Sequence, residues 1–216
     1  MINLISCQKK VNISDIKHIT LEAFKNVTSF DTDLDKINVL VGANNSGKSS
    51  VLQGIHFSIL AEAVRRNIGR ETVPQQSLLY LPSSDFTLLR HGTPYTNYSG
   101  STSKLIITGD TFSDGENADA FSITISKGKN FGNISIKSRP NNPFRQLVTS
   151  YTDLYSIYVP GLSGIPLEEK LHTKAVIRSA TANGDANLYL RNVLYYINEN
   201  HDLQKLNALI ESVTKN

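Results

Sequence analysis

Eight consecutive residues, Gly42-Ala43-Asn44-Asn45-Ser46-Gly47-Lys48-Ser49, constrain this chain more than any other stretch. They match the spacing G-x-x-x-x-G-K-[ST] of a phosphate-binding loop. Glycine lets the backbone curl closely, so that successive amide N–H groups point at one centre and cradle anionic oxygens. Lys48 brings a point charge to the outer phosphates. The Ser49 hydroxyl suits Mg2+, a small hard cation that keeps waters and takes few protein oxygens. A helix starting behind the loop turns its positive end toward the same phosphates. Such a loop needs a strand before it and a helix after it. Residues 36–41 are a short apolar run of strand type, and in residues 50–64 the apolar positions 51, 52, 55, 59, 60, 63 and 64 share one helical stripe. Gly54 lowers the propensity of that helix, and nothing in the sequence says why it is there. The alternative, a chance glycine-rich turn, does not account for these ordered flanks.

The chain's 216 residues suffice for one substantial domain or two small ones, and 39% hydrophobic with 19% charged residues suits a globular protein in water. No apolar run approaches the length of a membrane span, so no membrane partner is expected. The first ten residues lack the basic start and apolar core of a secretory signal, and the lone Cys7 cannot form an internal disulfide. The cytoplasm is the expected compartment. The Asn-x-Ser/Thr triplets are read as chance, because Asn44-Asn45-Ser46 lies inside the loop itself. A net charge of +3 pulls only weakly toward acidic partners. Residues 120–152 hold Lys127, Lys129, Lys137, Arg139 and Arg145 and no acid. Clustered cations of this kind can neutralise nucleic-acid phosphates, but the solvated face of a hairpin is the simpler reading.

Ahead of the loop, residues 15–24 alternate mostly as a strand, with apolar residues at 16, 19, 21 and 24. Residues 27–30 are expected to pair with it, and 31–35 form an acidic turn. From Arg65 to Ser84 periodicity fades into a loop rich in Pro, Gln and Ser, of the kind that moves. Residues 104–108, 120–126 and 131–137 read as three strands, the last two a hairpin about the turn at 127–130. Pro140 and Pro143 break the chain after the third strand. Residues 154–159 read as a buried strand stopped by Pro160-Gly161. A helix is expected from Pro166, with Glu168 and Glu169 in its first turn and Gly184 closing it; Asp185 would cap the next, and 202–213 form a last amphipathic segment.

The loop alone says nucleotide, not which class. The Asn-Lys-x-Asp element of guanine recognition is absent, which argues against a GTPase. An ATPase needs an acidic strand end for Mg2+ and the attacking water. Leu105 to Asp110 has the wrong tail for one, and Leu194 to Glu199 lies in helical sequence, so both are read as structural.

Together, Ile16 to Asn26, ending in Phe24-Lys25-Asn26, and the loop Gly-Ala-Asn-Asn-Ser-Gly-Lys-Ser-Ser resemble the N-terminal lobe of ABC-type ATPase heads of the SMC, RecF and OLD-like group, P-loop ATPases of the AAA family. Leu88 to Gly92 and Tyr155 to Gly161 resemble later segments of the same lobe, so the likeness covers about residues 15–160. The resemblance implies an α/β fold: a P-loop NTPase lobe with a mixed sheet around the P-loop helix, an antiparallel hairpin region and a C-terminal helical segment. It implies an ATP-binding lobe over 1–160 and a helical segment over 161–216, where an insertion or coiled coil could begin. ATP and Mg2+ are the implied cofactors. Gly42, Asn44, Asn45, Ser46, Gly47, Lys48, Ser49 and Ser50 would hold the nucleotide, with Ser49 on the metal and Lys25 and Asn26 nearby by position. The group places a Gln after its later strand, where this chain has Pro160-Gly161-Leu162; Gln146 is a substitute, whereas Gln75 and Gln76 come too early. Leu162-Ser163-Gly164 is followed by Ile165-Pro166 and fails as a signature motif.

The group's signature and acidic strand belong to a second lobe, so catalysis is incomplete within these 216 residues. The implied partners are ATP, a second lobe or head from the same or another chain in a dimer, and DNA. The implied function couples ATP-driven head association to DNA repair or defence against phage. A nucleotide-binding regulator or scaffold that never hydrolyses ATP is the alternative. A small-molecule kinase, whose lid would carry clustered arginines, finds only Arg65, Arg66 and Arg70 to support it.

Overall fold

The computed structural model describes residues 16–98, 100–109, 119–159, 168–199 and 203–214. A first compact unit runs to Tyr158 and a second begins at Val159.

The first unit is a six-stranded sheet packed against one long helix. Its strands are β1 (Ile16–Phe24), β2 (Val27–Asp33), β3 (Thr72–Pro74), β4 (Thr102–Gly109), β5 (Ala120–Lys127) and β6 (Asn133–Arg139). They lie in the order β2-β1-β4-β5-β6-β3, every neighbouring pair antiparallel. β4, β5 and most of β6 alternate buried with part-exposed residues, as a sheet with one covered face requires. Leu21, Leu105, Ile107, Ile123, Ile125, Ile134 and Ile136 fill the inner face and are sealed from water. Helix α1 (Lys48–Ile68) lies on that face, with Phe57, Leu60, Ala61 and Val64 buried.

Gly54 now has a reason. A Cβ there would stand 2.7 Å from Leu21 Cδ2 and 2.8 Å from Phe24 Cδ1, so α1 sits closer to β1 than any side chain permits. Glu62 of α1 is fully buried and held by Arg65, Nε to Oε2 at 2.6 Å and Nη2 to Oε1 at 2.8 Å. Arg145, from helix α2 (Pro143–Val148), brings its Nε to 3.9 Å from the same carboxylate. Arg145 therefore leaves the basic surface expected over 120–152 and belongs to the interior. Its burial lowers its pKa from the usual guanidinium value.

Several expectations change. Residues 36–41 form no strand: Ile37 is 83% exposed and Val41 88%, without a ladder partner. Residues 154–159 likewise form no strand, although Tyr155, Ile157 and Val159 point outward while Leu154, Ser156 and Tyr158 are half-buried. Residues 154–159 keep an alternation of exposure outside the ladder, whereas 36–41 are exposed throughout. Leu52, placed on the apolar stripe, is 48% exposed. The segment read as a loop from Arg65 continues α1 to Ile68, where Gly69 (φ 76°) closes it through its N–H to the Arg65 carbonyl, and then supplies β3 to the sheet edge. The stretch broken by Pro140 and Pro143 contains α2, which starts on Pro143 with Asn142 accepting from the Arg145 N–H.

The second unit contains α3 (Lys174–Asn183), α4 (Leu190–Glu199) and α5 (Leu203–Thr214). Gly184 (φ 88°) ends α3. Residues 168–173 are not helical, so Glu168 and Glu169 occupy no first turn; Pro166 lies outside the described residues. The Glu169 carboxylate instead accepts from the N–H groups of Arg191 (2.9 Å) and Asn192 (2.8 Å) at the start of α4. Asp185 makes no capping bond with its side chain. Among the described residues, no helix is long and apolar enough to cross a membrane.

Candidate functional site

The loop at residues 42–47 runs directly into α1. Gly47 is the residue before the helix, at φ 91°, a left-handed conformation that strains any side chain. Its open side faces the backbone of the β1–β2 turn: a Cβ there would lie 3.5 Å from the Asn26 carbonyl oxygen and 3.6 Å from Val27 Cγ2. No side chain caps the first turn of α1 and no acidic residue lies in it. The first N–H groups are left for an external acceptor, and the helix dipole favours an anion there. Gly42 is closed in a different way, since a Cβ would approach Ser46 Oγ to 2.8 Å.

Lys48 curls back over the loop. Its Nζ donates to the Gly42 carbonyl (2.8 Å), the Ala43 carbonyl (2.7 Å) and Ser46 Oγ (3.4 Å). A half-buried ammonium therefore stands at the centre of the loop's concavity. Asn44, Asn45, Ser46 and Ser49 are exposed, whereas Ser50 is buried beneath them. Uncapped amides, a central cation, a left-handed glycine at the helix start and an exposed hydroxyl at Ser49 fit a polyphosphate with a hard divalent cation.

The two residues assigned to the site by position separate. Asn26 donates from Nδ2 to Asn45 Oδ1 (3.0 Å), tying the β1–β2 turn to the loop. Lys25 points elsewhere: its Nζ donates to Gln53 Oε1 of α1 (2.9 Å) and to the Pro82 carbonyl (3.4 Å). Partial burial lowers its pKa. Residues on both sides of Phe24 have positive φ, Ala23 at 54° and Lys25 at 46°, so this turn needs bracing. His91 braces it. Its Nδ1 donates to the Lys25 carbonyl (2.6 Å), its Nε2 pairs with Thr28 Oγ1 (3.0 Å), and its backbone N–H donates to the Ala23 carbonyl (3.0 Å). Read from sequence, His91 is a lone surface residue; its partner Lys25 lies 66 positions away, so no local pattern could disclose the role.

The remaining candidates lie apart from the loop. Gln146 sits in α2, where Nε2 donates to Asn141 Oδ1 (3.3 Å). Gln75 donates to the Ser84 carbonyl (3.1 Å). Arg90 bonds Thr93. Leu194 to Glu199 belongs to α4, as its helical sequence requires, and Leu105 to Gly109 belongs to β4. Asp110 and Leu162-Ser163-Gly164 fall outside the described residues.

The sequence profile of the AAA ATPase domain matches residues 15–210, nearly the whole chain. The chain belongs to the AAA ATPase domain family. Within it, this AAA ATPase domain is similar to the DNA replication and repair protein RecF of Lactobacillus acidophilus, 29% identical over 94 residues, which are 43% of this chain and 21% of the relative. RecF of Lacticaseibacillus casei is 30% identical over 90 residues, 41% of this chain and 20% of the relative. The matched stretch thus spans about a fifth of the relatives' own length. The domain is a P-loop ATPase lobe of the SMC and RecF group, as its loop and its Phe24-Lys25-Asn26 turn imply.

Proposed function

We propose that this domain binds ATP and Mg2+ at residues 42–50 and acts as one lobe of a two-lobe ATPase head that serves DNA repair or phage defence in the cytoplasm. The open loop carries the proposal: Gly47 and the uncapped start of α1 offer backbone donors around the Lys48 ammonium. In this reading the amides of 44–50 hold the outer phosphates. Lys48 exchanges its carbonyl partners for phosphate oxygens, a stronger, charge-assisted set. Ser49 presents its hydroxyl to the metal. Asn26 keeps Asn45 in place from the neighbouring turn. Bound ATP supplies the phosphoanhydride whose cleavage would reset the head.

The unpaired segments support the second half of the reading. Residues 37–41 lead into the phosphate loop as an apolar stretch with Ile37, Val39 and Val41 exposed. Residues 154–159 also lie outside the ladder, with Ile157 58% exposed and Val159 61%. Exposed apolar side chains outside any ladder offer a surface to which further strands can be added. A second lobe that adds strands there would complete the floor of the nucleotide site and bring the acidic residue that positions water. The similarity to RecF supports DNA as the polymer the head works on.

Titration of labelled ATP with Mg2+ against the wild-type chain and Lys48→Ala tests the site. Binding is expected for the wild type and lost in the variant, with both unfolding at the same temperature, because Lys48 contributes charge at the surface of the loop rather than core. Equal affinity would remove the assignment.

A further inference from the structure

The turn between β5 and β6 exposes a large apolar side chain and offers it nothing to pack on. Phe131 is 99% exposed, while Phe24, Phe57, Phe86, Phe121 and Phe144 are buried. Its position is held firmly. The Gly128 N–H donates to the Asn133 carbonyl (2.8 Å), the Asn133 N–H to the Asn130 carbonyl (3.2 Å) and the Gln75 N–H to the Gly132 carbonyl (2.8 Å). A Cβ on Gly128 would meet the Asn133 backbone at 2.8 Å, and Gly132 has φ 73°, so the turn accepts little variation. A braced turn that presents a bare ring costs solubility and gains no stability.

The surroundings match one ligand chemistry. Lys127 and Lys129 precede the ring closely in sequence, and no acid occurs from 120 to 152. Beside the ring is a hollow of ≈ 500 Å³, within the range of small-ligand sites, lined among others by Gln75, Gln76, Asp85, Lys127, Phe131 and Asn133. Two Thr87 donors, N–H at 2.8 Å and Oγ1 at 2.7 Å, fix Asp85 Oδ1. A carboxylate repels phosphate but accepts from the amino groups of bases, as amide side chains also can. Acid and amides line the hollow together with Lys127, so a base can accept and donate there while its phosphate stays with the cations. Ammonium donors such as those of Lys127 and Lys129 hold a nucleic-acid backbone. In a duplex the bases are stacked on one another, so a ring offered for stacking selects an unpaired strand.

We infer that the β5–β6 turn binds single-stranded DNA, with an unpaired base stacked on Phe131 and the backbone neutralised by Lys127 and Lys129. The inference rests on the DNA-linked reading above for the class of polymer, and needs neither ATP nor the phosphate loop.

The chain contains no tryptophan, so Phe131→Trp in the full chain introduces a single indole reporter at this turn. Oligothymidylate without nucleotide is expected to quench its emission, and a blunt duplex of the same length to leave it largely unchanged. Phe131→Ala is expected to weaken oligothymidylate binding by about 5- to 150-fold, the loss of one stacked base, without altering thermal unfolding. Lys129→Ala is expected to reduce the salt dependence, log affinity against log salt, by about 0.7. Unchanged emission with bound oligonucleotide, equal quenching by the duplex, or full affinity in Phe131→Ala would each overturn the assignment while leaving DNA as the partner. If neither form of DNA binds, DNA falls as well, whereas ATP binding lost in Lys48→Ala would still uphold the nucleotide site.

Discussion

Gly54 shows how one atom sets the distance between a helix and a sheet. Leu21 and Phe24, which its absent Cβ would touch, are themselves fully buried and cannot retreat. Gly54→Ala would gain about 1 kcal/mol of helix propensity but force contacts that typically cost about 1–3 kcal/mol in a packed core. The expected outcome is a net loss of about 1 kcal/mol, read as a lower urea midpoint with an unchanged slope; a higher midpoint would mean that α1 can move off β1. The bonds of Lys48, by contrast, join groups within six residues of one another, a range that spacing alone describes. Lys25 was not: nothing local predicts that its ammonium reaches Gln53 and Pro82 rather than the loop beside it.

At the scale of an element, the β1–β2 hairpin carries a titratable clasp. His18 Nδ1 lies 2.7 Å from Asp33 Oδ1 and Nε2 3.0 Å from Asp31 Oδ1, one carboxylate at each ring nitrogen. Hydrogen bonds to Asp33 and then to Asp31 raise the His18 pKa above 6.5, and the Thr20 hydroxyl followed by His18 lowers that of Asp31 below 3.8. The folded state therefore binds the His18 proton more tightly than the unfolded chain. Its contribution to stability is full below pH 6.5 and is lost as pH rises through the raised folded value. The Asp31 contribution has the opposite sense: it is present above pH 3.8 and lost as pH falls through the lowered folded value. The wild-type advantage in melting temperature over His18→Gln is expected to be larger at pH 5.5 than at pH 8.5. An advantage independent of pH across that range would show that the histidine is neutral in the clasp. The alternation of 16–24 made the strand readable, but the clasp depends on the register His18 to Asp33 and Thr20 to Asp31, which only pairing sets.

At the scale of the whole molecule, the exposed stretch before the phosphate loop is the feature that most separates this lobe from a closed domain. Its side chains contribute nothing measurable to the lobe itself if they await another surface. Val39→Lys with Val41→Lys is expected to change unfolding free energy by no more than about 0.5 kcal/mol, as for exposed positions generally. The same pair is expected to abolish association with a second lobe or head, followed by sedimentation with ATP and Mg2+ present. A large loss of stability would instead place these residues in the lobe's own core.

The sequence by itself determined the phosphate loop, the helix behind it, the α/β class and the main strands, because spacing, periodicity and turn residues act within a few positions of one another. It also carried the apolar runs of 36–41 and 154–159, which signal strands whether or not a neighbour is present. Only the tertiary structure decided which alternating segments enter the ladder, since a strand exists through its partner's hydrogen bonds. It likewise decided that Arg145 turns inward to Glu62 and that His91 braces the turn beside the loop, because these outcomes join residues far apart in the chain.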